Sequence, residues 1–110
     1  MFTSSIMSSE NKCTKKYRFF KNKRTQFHPS IDLGINENGE WETIDLTSHP
    51  SGYDAFVKNP NPNTPNELSF YRTRVNRYHP GQKGEELKYY SLSKEDEEKI
   101  DKIVKKYKKR

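Results

Sequence analysis

Alanine and cysteine are almost missing from this 110-residue chain, which contains one residue of each. The single Cys13 excludes an internal disulfide, and without a CxxC pair the sequence lacks the spacing typical of a zinc site. No hydrophobic run approaches the length of a transmembrane helix, and the N-terminus lacks the basic and apolar regions of a secretory signal. These absences predict a cytoplasmic protein that does not associate with membranes and that uses no metal or other cofactor.

Hydrophobic residues are scarce as well, at 29% of the sequence against 33% charged residues. A core must therefore be built largely from the seven Tyr, six Phe and one Trp. Burial of a large side chain contributes about 1.5–3 kcal/mol, so these residues can support one small domain with little surplus. A marginally stable monomer or a homodimer is expected.

The charge balance is basic, with a formal net charge of +6 and a pI near 9.4. Such a balance favours a polyanionic partner, most often nucleic acid. The alternative is a merely solubilising surface, because part of the excess lies in residues 105–110, the terminal KKYKKR.

The chain divides into a tail and a domain. Residues 1–15 are rich in Ser, Lys and Asn without periodicity, so we expect a disordered tail followed by a single domain over residues 16–110. Shorter strands are predicted near residues 16–21 and 87–91, and a short strand or a helical turn at residues 53–57. Three prolines in residues 58–66 predict a stiff loop that is either a spacer or part of a binding rim.

Residues 27–50 predict a β-hairpin closed by Asn38-Gly39, because this dipeptide readily accepts the positive φ angles of a two-residue turn. In that register the apolar side pairs Ile31 with Leu46 and Leu33 with Ile44. The polar side pairs Ser30 with Thr47, Asp32 with Asp45 and His28 with His49, and it gathers groups that can move protons or contact phosphate. Two opposed aspartates are unfavourable. A longer loop across residues 36–40, which would slip the register and exchange the faces, is therefore the alternative.

Residues 69–78 predict a later strand with Arg72 and Arg74 on one side and Tyr71 on the other. Guanidinium groups bind phosphate bidentately and tyrosines stack on bases. The predicted nucleic-acid-binding residues are Arg72, Arg74, Arg77, Tyr71, Tyr78, Lys21 and Lys23. The alternative is an edge strand whose charges prevent aggregation.

The C-terminal segment predicts an α-helix from Ser93 to about Tyr107. Ser93 stands at the N-cap, acidic residues fill the first turn and lysines the last, which matches the helix dipole. Ile100, Ile103 and Val104 form one apolar stripe that must pack on another element. The expected fold class is mainly β within α+β, with this helix lying across a small antiparallel sheet.

Each of the three histidines precedes a proline, at His28, His49 and His79. A residue before proline is held extended, often at an element boundary, and a rigid, partly exposed histidine suits acid–base chemistry. Turn chemistry combined with chance is the alternative. His28 is the best candidate because it follows the basic loop of residues 21–26. No HxH, HxxxH or HExxH spacing indicates a metal site.

Hydroxyl groups end the second hairpin strand at Thr47 and Ser48. Beside His28 and Arg24 they could hydrogen-bond a scissile phosphate. The alternative is that they cap the turn where the strand ends.

Five features follow one another in this chain: a basic loop, the segment His28-Pro29-Ser30-Ile31, the segment Leu46-Thr47-Ser48, a strand over residues 70–77 and a helix over residues 92–107. This order resembles the MazF/PemK-like toxins of bacterial toxin–antitoxin modules. The resemblance implies an SH3-like barrel with a C-terminal helix, usually dimeric, that cleaves single-stranded RNA without a metal. It also implies an acidic protein antitoxin as partner and an active-site role for Thr47. The family usually has Arg where this chain has His28.

We therefore expect a toxin-like endoribonuclease, in which His28, alone or with His49, transfers protons and Arg24, Arg72 or Arg74 supplies charge. Thr47 and Ser48 would orient the phosphate. The second hypothesis is a non-catalytic nucleic-acid-binding module on the same fold. The third is a phage or mobile-element protein that binds a protein partner through its proline-rich loop. Fold alone does not choose among the three.

Overall fold

The computed structural model describes residues 16–48, 54–64 and 67–109. Within these ranges the chain forms strands β1 (Phe19–Asn22), β2 (His28–Ile35), β3 (Trp41–Thr47), β4 (Asp54–Val57), β5 (Ser69–Arg72), β6 (Asn76–Tyr78) and β7 (Lys83–Glu86), and helix α1 (Lys94–Lys108). Two short 3-10 helices cover Lys23–Thr25 and Pro80–Gln82. The predicted tail over residues 1–15 and the predicted partner His49 lie outside the described residues. No helix in the described ranges is both long and apolar enough to cross a membrane.

The strands form one antiparallel sheet in the order β4-β5-β3-β2-β1-β7, with β6 also paired to β3. One edge of β3 carries β2, and its other edge is shared by β6 at Trp41 and by β5 at Leu46. In the described part of the chain this order runs from β4 to β7 without closing. The predicted α+β class is confirmed, in its open, curved form rather than as a closed barrel.

The register of the central hairpin differs from the predicted one. Ser30 lies opposite Asp45, and Ile31 lies opposite Ile44. The predicted pairs were therefore wrong by two residues along the strand. The like-charge pair of Asp32 and Asp45 does not form, because Asp32 lies opposite an uncharged threonine of β3.

A longer loop and a β-bulge together cause this shift. The Asn36 side chain accepts hydrogen bonds from the N–H groups of Asn38 and Glu40, both at 2.9 Å, and so closes a turn longer than the predicted one. Such a loop alone would exchange the two faces of the strand. An extra residue in β2 near Gly34, whose φ is +96°, restores them. The predicted polar and apolar sides are retained from His28 to Asp32, although the predicted partners are not. Beyond the bulge Ile35, predicted on the apolar side opposite Glu42, lies opposite Trp41 and is exposed.

The hydrophobic core lies between the sheet and α1. Ile31 and Ile44 are fully buried in it, and Ile100 of α1 packs against the same cluster. Ile103 and Val104 also contact this cluster, as predicted from the apolar stripe. Leu33 packs only at its edge, beside the bulge. The remaining members of the buried cluster are Phe19, Leu46, Val57, Tyr71 and Leu87.

Hydrogen bonds at both ends fix α1 across the sheet. Ser93 is the N-cap, as predicted: its hydroxyl accepts from the Asp96 N–H at 3.2 Å and donates to the Asp96 carboxylate at 3.0 Å. The buried Asp96 also accepts from the N–H of Lys58, just after β4, at 3.0 Å. Near the other end, the Tyr107 hydroxyl donates to Glu42 of β3.

Two predicted strands have different bounds in the structure. The strand expected over residues 69–78 is interrupted at residues 73–75, so that β5 and β6 pair with different parts of β3. The strand expected at residues 87–91 is instead β7, whose sequence KGEE has no apolar alternation to reveal it. Gly84 permits this pairing, because a Cβ there would lie 2.9 Å from the Lys21 carbonyl oxygen.

Candidate functional site

Three of the predicted catalytic residues line one pocket where β2 begins and β3 ends. His28, Thr47 and Ser48 form one wall of this pocket, which has a volume of about 130 Å³. The proline-rich loop and Tyr90 also line it. This loop therefore forms a rim of the pocket, and its predicted role in binding stays a prediction. Arg24 is not among the described residues that line it.

The rim is held by asparagine side chains. Asn59 accepts from the N–H of Asn61 at 3.0 Å, and Asn61 accepts from the N–H of Asn63 at 2.9 Å. The Asn59 amide also donates to Thr64, and the Ser91 N–H reaches the Pro60 carbonyl at 3.1 Å. Successive side-chain turns of this kind stiffen a loop that lacks regular structure.

The chemistry of this pocket is polar but not cationic. Its described lining offers an imidazole, hydroxyl groups and amide groups, together with the carboxylate of Glu67. These groups can exchange a proton and hydrogen-bond a phosphate or a base edge. They do not supply the positive charge that stabilises a developing phosphorane.

The polar side of the hairpin closes on the carboxylate of Asp45, which is 7% exposed. The hydroxyls of Ser30 and Thr43 each donate to its Oδ1 at 2.7 Å. Asn76 donates to its Oδ2 at 2.9 Å, and the Tyr78 hydroxyl donates to the same oxygen. This side was predicted to move protons or to contact phosphate. At Asp45 all four donors come from the protein itself, so the carboxylate organises the sheet.

The same network reaches the basic loop through Asn22, which is fully buried. Its side-chain amide donates to Ser30 at 3.1 Å, and its Oδ1 accepts from the Arg24 N–H at 2.9 Å. Its carbonyl oxygen accepts from the Phe27 N–H at 2.7 Å and from the Thr25 hydroxyl at 3.3 Å. Residues 23–27 are therefore anchored to the interior of the sheet.

A second, partly buried cluster on this side surrounds Lys83, a residue that the sequence did not single out. Its ammonium lies 3.4 Å from the Asp32 carboxylate and 4.2 Å from the ring centroid of Phe20. The buried Trp41 donates to the other Asp32 oxygen at 2.9 Å. Asp32 is thus paired with a cation, and it has no direct contact with Asp45.

A second concave site, which we call the basic groove, lies between residues 73–77 and the C-terminal half of α1. Its lining holds five cationic side chains and, among the described residues, no carboxylate. The cations are Arg74, Arg77, Lys102, Lys106 and Lys108. Val75, Ile103 and Tyr107 provide a less polar surface between them, and the groove has a volume of about 860 Å³.

The base of the groove is hydrogen-bonded. The hydrogen bond from the Tyr107 hydroxyl to Glu42 raises the pKa of Tyr107, and Arg77 beside it acts in the opposite direction. Glu42 lies opposite Arg77 in the pairing of β3 with β6 and balances part of its charge. Arg74 and the lysines of α1 carry the remaining positive charge of the groove.

The predicted nucleic-acid-binding residues are divided among several places. Arg74 and Arg77 line the basic groove, whereas Arg72 lies in β5 outside its lining. Tyr71 is 4% exposed within the core, so burial removes its ring from any role in stacking on a base. The Tyr78 hydroxyl is occupied by Asp45.

The predicted basic loop forms a separate positive surface. Lys21 of β1 lies 3.3 Å from Glu85 of β7, while Lys23 and Arg24 are exposed on the first 3-10 helix. The backbone N–H of Arg24 connects this surface to the Asp45 network through Asn22. The groove lysines of α1 were missed because the helix dipole already accounted for lysines near the helix end.

Comparison of the chain with protein-family models, with curated proteins and with solved structures found no match. The resemblance to MazF/PemK-like toxins stays a prediction from sequence motifs. In the described ranges no group of three or more His, Cys, Asp or Glu side chains is arranged to hold a metal ion. The function must therefore be argued from the pocket and from the basic groove.

Replacing Tyr78 with phenylalanine tests the Asp45 network through pH. Burial and the hydrogen bond to Asp45 raise the pKa of Tyr78. The folded protein therefore keeps this proton at pH values where the unfolded chain, with a tyrosine pKa of about 10, loses it. The free energy of unfolding should fall as pH rises above about 10, and it should fall less steeply in Tyr78→Phe.

At neutral pH the free energy of unfolding of Tyr78→Phe should be about 1.5–3 kcal/mol lower than that of the parent, because one hydrogen bond to a buried carboxylate is removed. Urea unfolding at several pH values measures both effects. Tyr89→Phe is the matched control, since Tyr89 is exposed and lies outside the network. An unchanged pH slope in Tyr78→Phe would contradict the predicted role of Tyr78.

Proposed function

We propose that this protein binds single-stranded nucleic acid, RNA in the first instance, along the basic groove. The observation that supports this proposal is the convergence of Arg74 and Arg77 with three lysines of α1 around a lining free of carboxylates in the described residues. Polyanion binding by Lys and Arg releases counterions from the nucleic acid, which makes such a surface effective without sequence recognition.

The helix itself does not require this clustering. Lysines in the last turn, such as Lys108, are favoured by the helix dipole. Lys102 precedes the last turn and lies four residues before Lys106, and like charges at this spacing destabilise a helix by about 0.2–0.5 kcal/mol. Glu98, four residues before Lys102, offsets this repulsion, so helix stability permits the groove lysines but does not require them to cluster on one face.

The surface between the cations favours a single strand over a duplex. Tyr107, Ile103 and Val75 are partly buried side chains that sugars and unstacked bases can contact. A duplex hides its base faces and would use only the charged rim. The guanidinium groups of Arg74 and Arg77 are suited to bidentate contact with phosphate.

Neutralising one groove cation should weaken RNA binding in a salt-dependent way. Arg74→Ala and Lys106→Ala should each lower the affinity for an unstructured oligonucleotide. Each should also reduce the slope of log affinity against log salt by about 0.7, the value for one single-strand phosphate contact. Fluorescence anisotropy at several salt concentrations measures both quantities.

Lys94→Ala is the control for this experiment, because it changes the net charge equally at the opposite end of the same helix. It should leave both the affinity and the slope close to those of the parent. An affinity that does not change with salt in the parent would contradict the proposal and favour a protein partner.

A second candidate function is cleavage of single-stranded RNA at the other pocket. It is favoured by one observation: His28, Thr47 and Ser48, chosen from sequence for their chemistry, line the same small cavity. Cleavage requires deprotonation of the 2′-OH, protonation of the leaving 5′-oxygen and stabilisation of negative charge. His28 would transfer the protons and the hydroxyls would orient the phosphate, while Arg24 of the neighbouring loop would supply charge. An acidic antitoxin would be its natural inhibitor.

If the chain cleaves RNA, His28→Ala should reduce the rate by about 10²–10⁴-fold and leave RNA affinity nearly unchanged. The parent should act in the presence of a chelator and leave a 2′,3′-cyclic phosphate, the product of attack by the neighbouring 2′-OH. Gel and mass analysis of a labelled oligonucleotide measures rate and product.

His79→Ala is the matched control for this prediction. His79 is exposed and caps the second 3-10 helix, where its Nδ1 accepts from the Gly81 N–H at 3.0 Å. The His79→Ala variant should cleave RNA as fast as the parent. If the parent leaves RNA intact, the cleavage function is contradicted and only the binding function stands. If His28→Ala cleaves RNA as fast as the parent, His28 has no part in the mechanism.

A further inference from the structure

Phe27 combines exposure with a strained backbone. Its side chain is 60% exposed, and its φ is +67° directly after Gln26 at +60°. Positive φ is uncommon for residues other than glycine and is an outlier for a bulky side chain. Such strain persists only where the surrounding structure imposes it, and it is concentrated at functional sites.

The surrounding structure does impose this conformation. The Phe27 N–H donates to the carbonyl oxygen of Asn22 at 2.7 Å, and Asn22 is fully buried. The Asn22 amide in turn donates to Ser30, which donates to the buried Asp45. The aromatic ring is thus presented to solvent from an anchored loop, which reduces the entropy lost when it binds a ligand.

Basic residues flank Phe27 in the sequence. Lys23 and Arg24 are exposed on the 3-10 helix that precedes Phe27, and His28 follows it at the rim of the pocket. An exposed aromatic ring beside basic side chains is the combination that single-strand-binding proteins use, with bases stacked on the ring and phosphates on the cations.

We propose that Phe27 is a stacking platform for an unpaired nucleobase, with Lys23 and Arg24 contacting the adjoining phosphates. The inference rests on the proposed nucleic-acid-binding function and adds a second contact region to the basic groove. A contiguous exposed apolar patch is the feature that would favour a protein partner. The immediate chain neighbours of Phe27 are instead polar or basic. Stacking needs only one ring face and tolerates any base.

The test compares two variants that differ in the ring but both fit the loop. Phe27→Asn removes the ring, and asparagine tolerates positive φ well, so the folded state should be at least as stable as the parent. Phe27→Trp keeps an aromatic face. The probe is an oligouridylate of about 12 nucleotides, within the range of site sizes for small single-strand-binding folds. Ile35→Ala, at the far end of β2, is the control for loss of an exposed apolar side chain.

Phe27→Asn should bind the oligouridylate roughly 5- to 150-fold more weakly, the loss that corresponds to about 1–3 kcal/mol for one stacked base. Its salt slope should equal that of the parent, because its phosphate contacts remain. Phe27→Trp and Ile35→Ala should bind like the parent. With an abasic oligonucleotide, which offers phosphates without bases, parent and Phe27→Asn should bind equally.

The other possible results distinguish failure of the stacking proposal from failure of the proposed function. Equal binding of the oligouridylate by the parent and Phe27→Asn would overturn the stacking proposal while leaving the groove proposal intact. Weak binding by Phe27→Trp as well would also overturn it, because the aromatic face would then not be the determinant. No binding by the parent would contradict the proposed function itself and the stacking proposal with it.

Discussion

The buried carboxylate of Asp45 is the interaction on which the arrangement of the sheet depends. Its donors come from β2, β3 and β6, so a single side chain joins three strands. A buried charge is strongly unfavourable unless hydrogen bonds replace its water. The observed register brings Ser30 opposite Asp45 and so supplies one of these bonds. The predicted register would have placed Asp32 there, with a second negative charge and no donor.

The two faces of the sheet consequently differ in what covers them. One face is filled by the Asp45 network and by the Lys83 cluster, and the other packs on the apolar stripe of α1. The candidate binding sites therefore lie at the borders of these faces. The basic groove lies where α1 meets residues 73–77. The loop bearing Phe27 follows Asn22, the last residue of β1, which is hydrogen-bonded to the Asp45 network. A small protein with few apolar residues thus uses buried hydrogen bonds where a larger one would use hydrophobic packing.

Local signals allowed α1 and the two faces of the hairpin to be predicted from sequence. The cap at Ser93 and the periodic apolar residues of the helix lie within a few turns of one another. The hairpin register could not be predicted in the same way, because the Asn36 turn and the Gly34 bulge each shift it by one residue and together restore the faces. The basic groove is formed by residues 73–77 together with a helix that is distant in sequence. From the sequence alone, its lysines indicated only the C-terminal end of a helix. The convergence of His28 with Thr47 was predicted because both stand at the open end of one hairpin.

Amide hydrogen exchange in Ser30→Ala tests the central claim, that the buried network holds the basic loop. This variant removes one donor to Asp45 and the acceptor of the Asn22 amide, and it leaves the hydrogen bonds that residues 23–27 make to Asn22 in place. We expect much faster exchange at the Phe27 N–H, which is bonded to Asn22, and exchange in the middle of α1 close to that of the parent. Unchanged exchange at Phe27, or an equal increase throughout the protein, would contradict it.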